Sequence, residues 1–461
     1  MNARTFRRPL SLSCVAVVLI AAFMLLRVFN THRYSDPSRV IAWDVVSYYS
    51  YLPAAFIEHD LTLSFTEGPH DGTYWPETLA DGRKVIKTSM GLSIMYCPFF
   101  LAAHVLAPAL GCPANGFSEP YAFALILAGL CYCVLGLFLL RRLLLRHFAE
   151  WVTALTLVIL ALCTNLYWYS VYEAPMSHAF SFFLFSLFAF LTMRWHEHPT
   201  VWRTVAIGFT LGLISLIRPT NALVVVYFLL YGVRSKATLR QKWHLMRVSW
   251  WKLFLIGAAT LLVWVPQMAY WHCNTGHWLF YSYGSDERFF FSDPKILKGL
   301  FGFRKGWLVY TPVMLFALMG LVPLYRREKR DPAAGAHFWG LVVFLALNLY
   351  VVFSWWCWWY GGSCGLRALI ESYALLALPL AAWIEWAVSR KVLLRCTLLL
   401  LLTAAAALSA FHNVRYIYGS IHWDSMTRAA YFDSFFRSHP SDSFTSLLEE
   451  PDYEAARKGN R

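Results

Sequence analysis

Apolar runs long enough to cross a membrane recur along almost the whole chain. A membrane-spanning helix needs about 20 mostly apolar residues, and about eleven runs meet this condition. The runs share this length and are nearly free of charge, and their centres lie near residues 19, 130, 161, 185, 210, 227, 260, 317, 346, 380 and 402. The sequence therefore predicts an all-α protein that crosses the membrane many times.

The composition favours the same class of protein. Hydrophobic residues make up 58% of the chain and charged residues only 14%, whereas about a quarter of the residues in a typical soluble domain are charged. The formal net charge of the chain is +14. A strongly positive charge is typical of many nucleic-acid-binding proteins. Here, however, lysine and arginine cluster in short loops between apolar runs, as they do where they set membrane topology. We therefore expect an integral membrane protein with no nucleic-acid partner.

The basic clusters also predict an orientation. Those assigned to the cytoplasmic side are Arg4/Arg7/Arg8, Arg141/Arg142/Arg146, Arg194/Arg203, Arg234/Lys236/Arg240/Lys242/Arg247, Arg326/Arg327/Lys329/Arg330 and Arg390/Lys391/Arg395. They alternate correctly if the N-terminus is cytoplasmic and the C-terminus lies outside. The apolar stretch from Ser89 to Leu106 would invert every later loop if it spanned the membrane. Because Gly91, Pro98 and His104 interrupt it, we expect an interfacial or re-entrant segment.

This topology divides the chain into two parts. Residues 1–411 are predicted to form the transmembrane domain, with residues 30–118 as a long first exoplasmic loop. Residues 412–461 are predicted to form a short exoplasmic tail that is loosely ordered, since they are rich in charged and polar residues. The first apolar run lacks a small-residue cleavage site, so an uncleaved helix is favoured over a signal peptide.

Asp44 is the acidic residue that follows the first apolar run, and it stands among aromatic residues in the predicted outer loop. A carboxylate beside a bilayer is usually buried in protein, paired with a cation or functional. Four basic residues, Lys87, Arg218, Arg304 and Arg367, are predicted on the same outer side, against the positive-inside bias. An anionic ligand such as a lipid phosphate would explain them. The alternative is solvation, or contact with lipid head groups.

Residues 355–367, with the sequence Trp-Trp-Cys-Trp-Trp-Tyr-Gly-Gly-Ser-Cys-Gly-Leu-Arg, are a second candidate region. A tryptophan cluster alone indicates a membrane-interface belt. The glycines permit tight turns and a close approach to a ligand, and aromatic faces suit sugar rings. The residues predicted to contact sugar or lipid are Tyr48, Trp359, Tyr360, Gly362 and Ser363.

Two outer hairpins add further candidates. Arg218-Pro219-Thr220-Asn221 separates two apolar runs, and its simplest interpretation is a helix hairpin capped by Asn221 with Arg218 reaching to the interface. In the second hairpin, Glu173 is a candidate for a second acid or a metal ligand. His178 opens the next helix and is interpreted as a core histidine.

In this layout the chain resembles the GT-C superfamily of membrane glycosyltransferases, which includes protein O-mannosyltransferases and the lipid A aminoarabinose transferase. The shared features are a cytoplasmic N-terminus, a long first outer loop with an acidic residue, and about eleven helices. Lys87-Thr88-Ser89-Met90-Gly91 resembles the family's lysine before an interfacial helix, although the usual Lys-Pro-Pro is missing. Residues 218–221 and 360–367 resemble segments of uncharacterised bacterial members.

The resemblance implies an activity and a location. It implies transfer of a sugar from a polyprenyl-phosphate donor to a hydroxyl or amine of a glycan, lipid or protein, in glycan biosynthesis of the cell envelope. The expected location is the bacterial inner membrane, with the active site facing outside. Asp44 matches the first-loop acid that acts as the family's catalytic base. Many relatives carry an Asp-Glu pair there, so the second acid is unassigned, with Asp60 and Glu173 as candidates.

The chemistry of such a transfer assigns roles to the other residues. A carboxylate must accept the proton of the attacking hydroxyl, and Lys87, Arg218, Arg304 or Arg367 would stabilise the leaving lipid phosphate. No phosphoryl group is transferred, so no cofactor is required. A divalent metal held by Asp44 and Glu173 stays open as an alternative.

The main rival is a transporter or flippase of a lipid-linked saccharide. Such proteins usually have paired halves and polar residues near the middle of the membrane, whereas the polar residues here are predicted at the outer rim. This difference favours an interfacial enzyme. A non-catalytic lipid-binding or assembly protein is a second rival, and it would not need Asp44.

Overall fold

The computed structural model describes residues 11–67, 73–331 and 335–461, and these ranges are predominantly helical. The α-helices are α1 (Leu12–Thr31), α2 (Asp44–Tyr49), α3 (Tyr51–Phe56), α4 (Gly91–Leu106), α5 (Glu119–Leu144), α6 (Glu150–Leu162), α7 (Trp168–Val171), α8 (Ser177–Glu197), α9 (Val201–Ile217), α10 (Val225–Leu230), α11 (Lys236–Val248), α12 (Trp250–Thr275), α13 (Ile296–Phe301), α14 (Trp307–Tyr310), α15 (Met314–Met319), α16 (Leu321–Arg330), α17 (Phe338–Ser354), α18 (Tyr373–Val388), α19 (Val392–Ile417), α20 (Arg428–Asp433) and α21 (Tyr453–Arg457).

Short 3₁₀ helices and one small hairpin complete the described secondary structure. The 3₁₀ helices are Arg33–Ser35, Pro37–Arg39, Ser64–Glu67, Pro108–Leu110, Pro219–Val224, Arg367–Ser372 and Phe444–Leu447. Strands β1 (Glu77–Thr78) and β2 (Lys84–Val85) pair antiparallel within the predicted first outer loop, with Glu77 opposite Val85. The prediction of an all-α architecture is therefore confirmed apart from this hairpin.

Six helical stretches in the described part of the chain are long and apolar enough to cross a membrane. They are α1, α5, α8, α12, α19 and the continuous stretch Arg367–Val388 that contains α18. Large apolar side chains remain exposed on them, among them Phe254 on α12 and Leu393 on α19. Exposed apolar surface of this extent is the signature of a lipid-facing helix. The chain therefore has the character of an integral membrane protein.

The predicted number of about eleven spans is not confirmed, because the remaining apolar runs form shorter or broken helices. The run near residue 227 divides into the 3₁₀ helix Pro219–Val224 and α10. The run near residue 317 divides at Gly320 into α15 and α16. A Cβ on Gly320 would overlap the carbonyl oxygen of Pro379, so the break lies where the chain backbone is in tight contact with α18. The stretch Ser89–Leu106 forms α4, which has 16 residues and is short for a span.

Helix α18 lies at the centre of the bundle. It packs against α5, α6, α8, α15, α16 and α19, and its residues are almost entirely buried, including Trp383. Its continuous apolar sequence explains this position, since a helix that is hydrophobic on all sides belongs inside a bundle. The 3₁₀ helix Arg367–Ser372, which leads directly into α18, is thereby held rigidly.

The C-terminal tail differs from the expectation of loose order. Helix α19 continues to Ile417, and the chain then returns over neighbouring loops through α20 and α21. Phe444 and Ala456 are buried. Arg461 donates hydrogen bonds to the carbonyl oxygens of Ser354 and Trp355, at 3.1 and 2.8 Å. Aromatic and small residues scattered through the polar sequence supply the contacts that hold this tail in place.

A glycine substitution tests the close packing of α5. A Cβ on Gly129 would overlap the carbonyl oxygen of Ala174, whereas a Cβ on Gly257 in α12 meets nothing within 4 Å. Gly129→Ala should destabilise the protein by about 1–3 kcal/mol because the helix must shift. Gly257→Ala should be neutral or slightly stabilising. Thermal unfolding of both variants in detergent checks this, and equal effects would contradict the packing.

Candidate active site

Asp44 forms an ion pair with Arg367. Oδ2 of Asp44 accepts a hydrogen bond from Nη2 of Arg367 at 3.1 Å. Asp44 is the first residue of α2, and Trp43 before it has a φ of 52°, a conformation that is rare for a bulky residue. The side chain of Asp44 is 47% exposed and that of Arg367 only 14%. The pair therefore presents a reachable carboxylate that is backed by a largely buried guanidinium.

Glu371 lies one helical turn after Arg367 and anchors a second set of charges. Its side chain is 2% exposed, and its Oε1 atom lies 3.2 Å from Nδ1 of His178 and 3.5 Å from Nη1 of Arg218. These partners come from the start of α8 and the end of α9. A buried carboxylate is retained only if it is paired and hydrogen-bonded, so Glu371 ties the neighbouring ends of three helices together.

The same cluster contains polar atoms that the described residues leave unsatisfied. Nε of Arg367, Oε2 of Glu371 and Nε2 of His178 are buried and have no hydrogen-bond partner in the described ranges. Leaving such an atom unsatisfied costs about 1–3 kcal/mol, and native structures usually satisfy it with protein, water or a ligand. The cluster thus retains donors and acceptors for a polar molecule.

Two tyrosines lie within electrostatic range of Asp44, the buried Tyr48 and the partly exposed Tyr283. Burial raises the pKa of Tyr48, Asp44 raises it further, and Arg218 and Arg367 oppose the shift. Burial likewise raises the pKa of Tyr283, which is influenced by Tyr48, Arg218 and Asp44. Both phenols therefore stay protonated at neutral pH and remain hydrogen-bond donors beside the charged groups.

Lys87 joins the cluster through Tyr283 and Glu287. Its Nζ atom lies 3.2 Å from Oε1 of Glu287 and 5.4 Å from the ring centre of Tyr283. A second carboxylate, that of Glu77, lies 3.8 Å away. Lys87 is thus held in place by the loop that follows α12, and its ammonium group stays partly exposed.

The two candidates for a second acid have different surroundings. Burial raises the pKa of Glu173, and the nearby Arg367 counteracts this shift, so Glu173 belongs to the charged cluster. Asp60 instead accepts four local hydrogen bonds, from the backbone N–H and the hydroxyl of both Thr62 and Ser64. Partial burial raises the pKa of Asp60, but these bonds outweigh it and lower the pKa to about 2. Asp60 therefore organises its own turn.

Arg304 and Trp359 contact the C-terminal tail. Nη1 of Arg304 donates to the carbonyl oxygens of Asp424 and Glu449, each at 3.0 Å, and its guanidinium lies 5.9 Å from the ring centre of Trp359. Trp359 is buried and packs edge-on against Tyr453 of α21. Among the described contacts, neither Arg304 nor Trp359 touches Asp44. The tail accepts the hydrogen bonds of Arg304 and packs against the ring of Trp359.

The glycine-rich turn also contacts the tail. The N–H of Ser363 donates to the carbonyl oxygen of Trp423 at 3.0 Å, and a Cβ on Gly362 would lie 3.0 Å from the Trp423 ring. Tyr360 has a φ of 59°. Its burial raises its pKa, and Arg218 is the strongest opposing influence. Tyr360 therefore faces the charged cluster, whereas Gly362 and Ser363 face the tail.

Lys305 is the buried cation that joins the turn to the tail. Its Nζ atom donates to the carbonyl oxygens of both Ser363 and Trp423. Burial lowers the pKa of Lys305 to about 7, with Cys364 and Asp424 opposing that shift. This role of Lys305 could not be predicted from the sequence, because its partners are backbone carbonyls of distant segments.

Glu371 is the site residue that was missed from the sequence. Its signal was a charged residue inside an apolar stretch, four positions after Arg367. His178, interpreted as a core histidine, is indeed fully buried, but its partner is this carboxylate.

No family model and no curated protein matches the sequence. In the described ranges, no group of three or more His, Cys, Asp and Glu residues is arranged to hold a metal ion.

A double-mutant cycle tests the buried pair of Arg218 and Glu371. Arg218→Met or Glu371→Gln should each destabilise the protein by about 3–5 kcal/mol, because the first removes the permanent cation beside the buried Glu371 and the second removes the carboxylate beside the largely buried Arg218. The double variant should recover part of that loss, with a coupling of about 1–3 kcal/mol. Unfolding in detergent measures all four proteins.

The pair of Arg83 and Asp81 is the matched control, since both side chains are about half exposed, at 47% and 50%. Its single variants should cost no more than about 1 kcal/mol. Simple additivity of Arg218→Met and Glu371→Gln would mean that the two residues are not coupled.

Proposed function

We propose that this chain is an integral-membrane glycosyltransferase of the GT-C type. It moves a sugar from a polyprenyl-phosphate donor to a hydroxyl or amine acceptor on the exoplasmic face of the membrane. Asp44 is the general base of this reaction. The observation that carries the proposal is the half-exposed carboxylate of Asp44, held 3.1 Å from a largely buried arginine.

The reaction needs a positioned proton acceptor. The acceptor oxygen attacks C1 of the sugar, the bond between C1 and the phosphate oxygen breaks, and its electron pair leaves with the lipid phosphate. The proton of the attacking hydroxyl passes to Asp44, since a hydroxyl is far too weak an acid to ionise unaided at neutral pH. Arg367 orients the carboxylate of Asp44. Because that carboxylate is half exposed, an acceptor can approach it from the aqueous side.

The leaving phosphate needs fixed positive charge. An arginine carries five N–H donors, so Arg367 can hold Asp44 through Nη2 and retain further N–H donors for a phosphate oxygen. Arg218 and Lys87 add two further cations, each already fixed by a carboxylate. Preorganised charge of this kind stabilises the developing anion without reorganisation. Arg304 takes no part in this arrangement, because the tail engages it.

An apolar groove next to Lys87 suits the chain of a lipid donor. The groove has a volume of about 830 Å³ and lies between α3, α4 and α12, where Tyr51, Met90 and Tyr270 contribute to its lining. The hydroxyl of Tyr51 donates to the carbonyl oxygen of Thr88 at 2.7 Å, so the groove wall is bonded to the residue that follows Lys87. A lipid phosphate bound at Lys87 would place its isoprenoid chain here.

The position of the charges favours an enzyme over a transporter. His178 is the second residue of α8, Arg218 follows the last residue of α9, and Glu371 precedes α18. All three therefore lie at helix ends, where the membrane interface would be, and not at the mid-membrane depth typical of transporter sites.

A transfer assay with purified protein tests the proposal. The protein is incubated with a set of synthetic polyprenyl-phosphate sugars and candidate acceptors, and transfer of labelled sugar is measured. Asp44→Asn should reduce transfer by about 10²–10⁴-fold, since the amide cannot accept the proton. Asp81→Asn, which alters an exposed carboxylate of the same predicted loop, should retain full activity.

Two results would contradict the proposal. Full activity of a folded Asp44→Asn protein would remove the base assignment. Movement of the intact lipid-linked sugar across vesicles, without transfer to any acceptor, would support the flippase instead.

A further inference from the structure

Helix α11 and its flanks form a strongly basic segment, residues 234–252, outside the candidate active site. Its basic residues are Arg234, Lys236, Arg240, Lys242, Arg247 and Lys252, and no aspartate or glutamate occurs between residues 198 and 285. The active site balances its cations with carboxylates. Arg234 bonds the carbonyl oxygens of Glu328 and Gly335, and Lys242 is buried. Lys236, Arg240 and Arg247 are exposed and form no ion pair within the described residues, so their charge suits an external anion.

The charges and the apolar side chains occupy adjoining stripes of α11. At 100° per residue, Lys236, Arg240 and Arg247 fall within a narrow sector of the helix, and all three are exposed. Leu239, Trp243 and Met246 follow the i, i+4, i+7 spacing of a neighbouring stripe. Trp243 is 59% exposed, so this apolar stripe is not buried against the rest of the protein.

The ends of α8 fix where α11 lies. His196, at the end of α8, contacts Nζ of Lys242, which also donates to the carbonyl oxygen of Phe228 at 3.3 Å. His178, at the start of α8, contacts Glu371 of the active site. A helix of 21 residues is about 30 Å long. Helix α11 is therefore anchored at the opposite end of the bundle from Asp44, about one membrane thickness away.

The connection to α12 sets the depth of α11. Only Ser249 separates α11 from α12, which is long and apolar enough to span the membrane. At 13 residues, α11 would be too short to span even without its charges. Trp250 and Phe254, at 66% and 70% exposure, continue the apolar surface from α11 onto the spanning helix. A helix so connected lies at the membrane surface.

We propose that α11 lies along the membrane leaflet opposite the active site and binds anionic phospholipid head groups. Lys236, Arg240 and Arg247 contact the lipid phosphates, while Trp243 and Trp250 enter the boundary between head groups and acyl chains. Charge complementarity and the apolar surface that continues onto α12 identify a lipid leaflet as the occupant. This inference does not depend on the sugar-transfer activity.

A lipid-binding measurement on the full-length protein tests the inference. Native mass spectrometry of the delipidated protein in detergent gives apparent dissociation constants for phosphatidylglycerol and phosphatidylcholine. The wild type should prefer phosphatidylglycerol. The triple variant Lys236→Gln/Arg240→Gln/Arg247→Gln should bind it on the order of 100-fold more weakly, since each basic residue near an anionic surface contributes about fivefold.

The matched control is Arg390→Gln/Lys391→Gln/Arg395→Gln. It removes the same charge beyond α18, at the same end of the bundle, from the turn before α19 and the first turn of that helix and not from one face of a surface helix. It should weaken phosphatidylglycerol binding less than the α11 triple variant does, because the guanidinium of Arg390 is already bonded to Trp386 and Ser389. Equal weakening by both triple variants, or no preference between the two lipids, would overturn the proposal.

Hydrogen exchange in nanodiscs separates lipid binding from docking of a protein. Backbone amides of residues 236–248 should be more protected in phosphatidylglycerol than in phosphatidylcholine, and Trp243→Ser should reduce that difference. Equal protection in both nanodiscs would overturn the proposal. Protection that requires a co-purified protein instead of anionic lipid would also overturn it and assign the surface to that protein.

Discussion

The burial of Glu371 is the constraint on which the end of the bundle that contains Asp44 depends. A carboxylate that is 2% exposed must be neutralised, and it meets this need by contacting Arg218 and His178 from two other helices. Arg367, one turn away, extends the charge network outward to Asp44. The reachable carboxylate of Asp44 is therefore the outer end of a network that begins deep in the protein, and its position is fixed by the packing of α8, α9 and α18.

The rest of the structure arranges apolar and basic surfaces around that network. The groove between α3, α4 and α12 lies next to the residues that follow Lys87, and α12 continues to the opposite end, where α11 carries exposed basic residues. The C-terminal tail covers the tryptophan-rich turn, with Lys305 bonded to both. One end of the molecule thus suits a charged lipid head group and a polar acceptor, and the other suits an anionic leaflet.

The sequence predicted the helices more reliably than their lengths. Periodic apolar runs identified an all-α membrane protein, but breaks such as the one at Gly320 arise from contact with a distant helix. Asp44, Lys87, Arg218 and Arg367 were predicted on one side, and the structure brings them into one cluster. The tail contacts of Arg304 could not be predicted, because they are bonds to backbone carbonyls. Glu371 was missed because its apolar neighbours concealed a charge four residues after Arg367.

Photocrosslinking with a polyprenyl phosphate that carries a diazirine near its head group tests the central claim most directly. The probe should label peptides around Met90 and residues 266–274, which line the groove beside Lys87, and unlabelled polyprenyl phosphate should displace it. Replacement of Lys87 by Gln should weaken the labelling while the fold is retained. Labelling at other helices that is insensitive to unlabelled lipid and to this substitution would contradict a lipid-phosphate site beside Asp44.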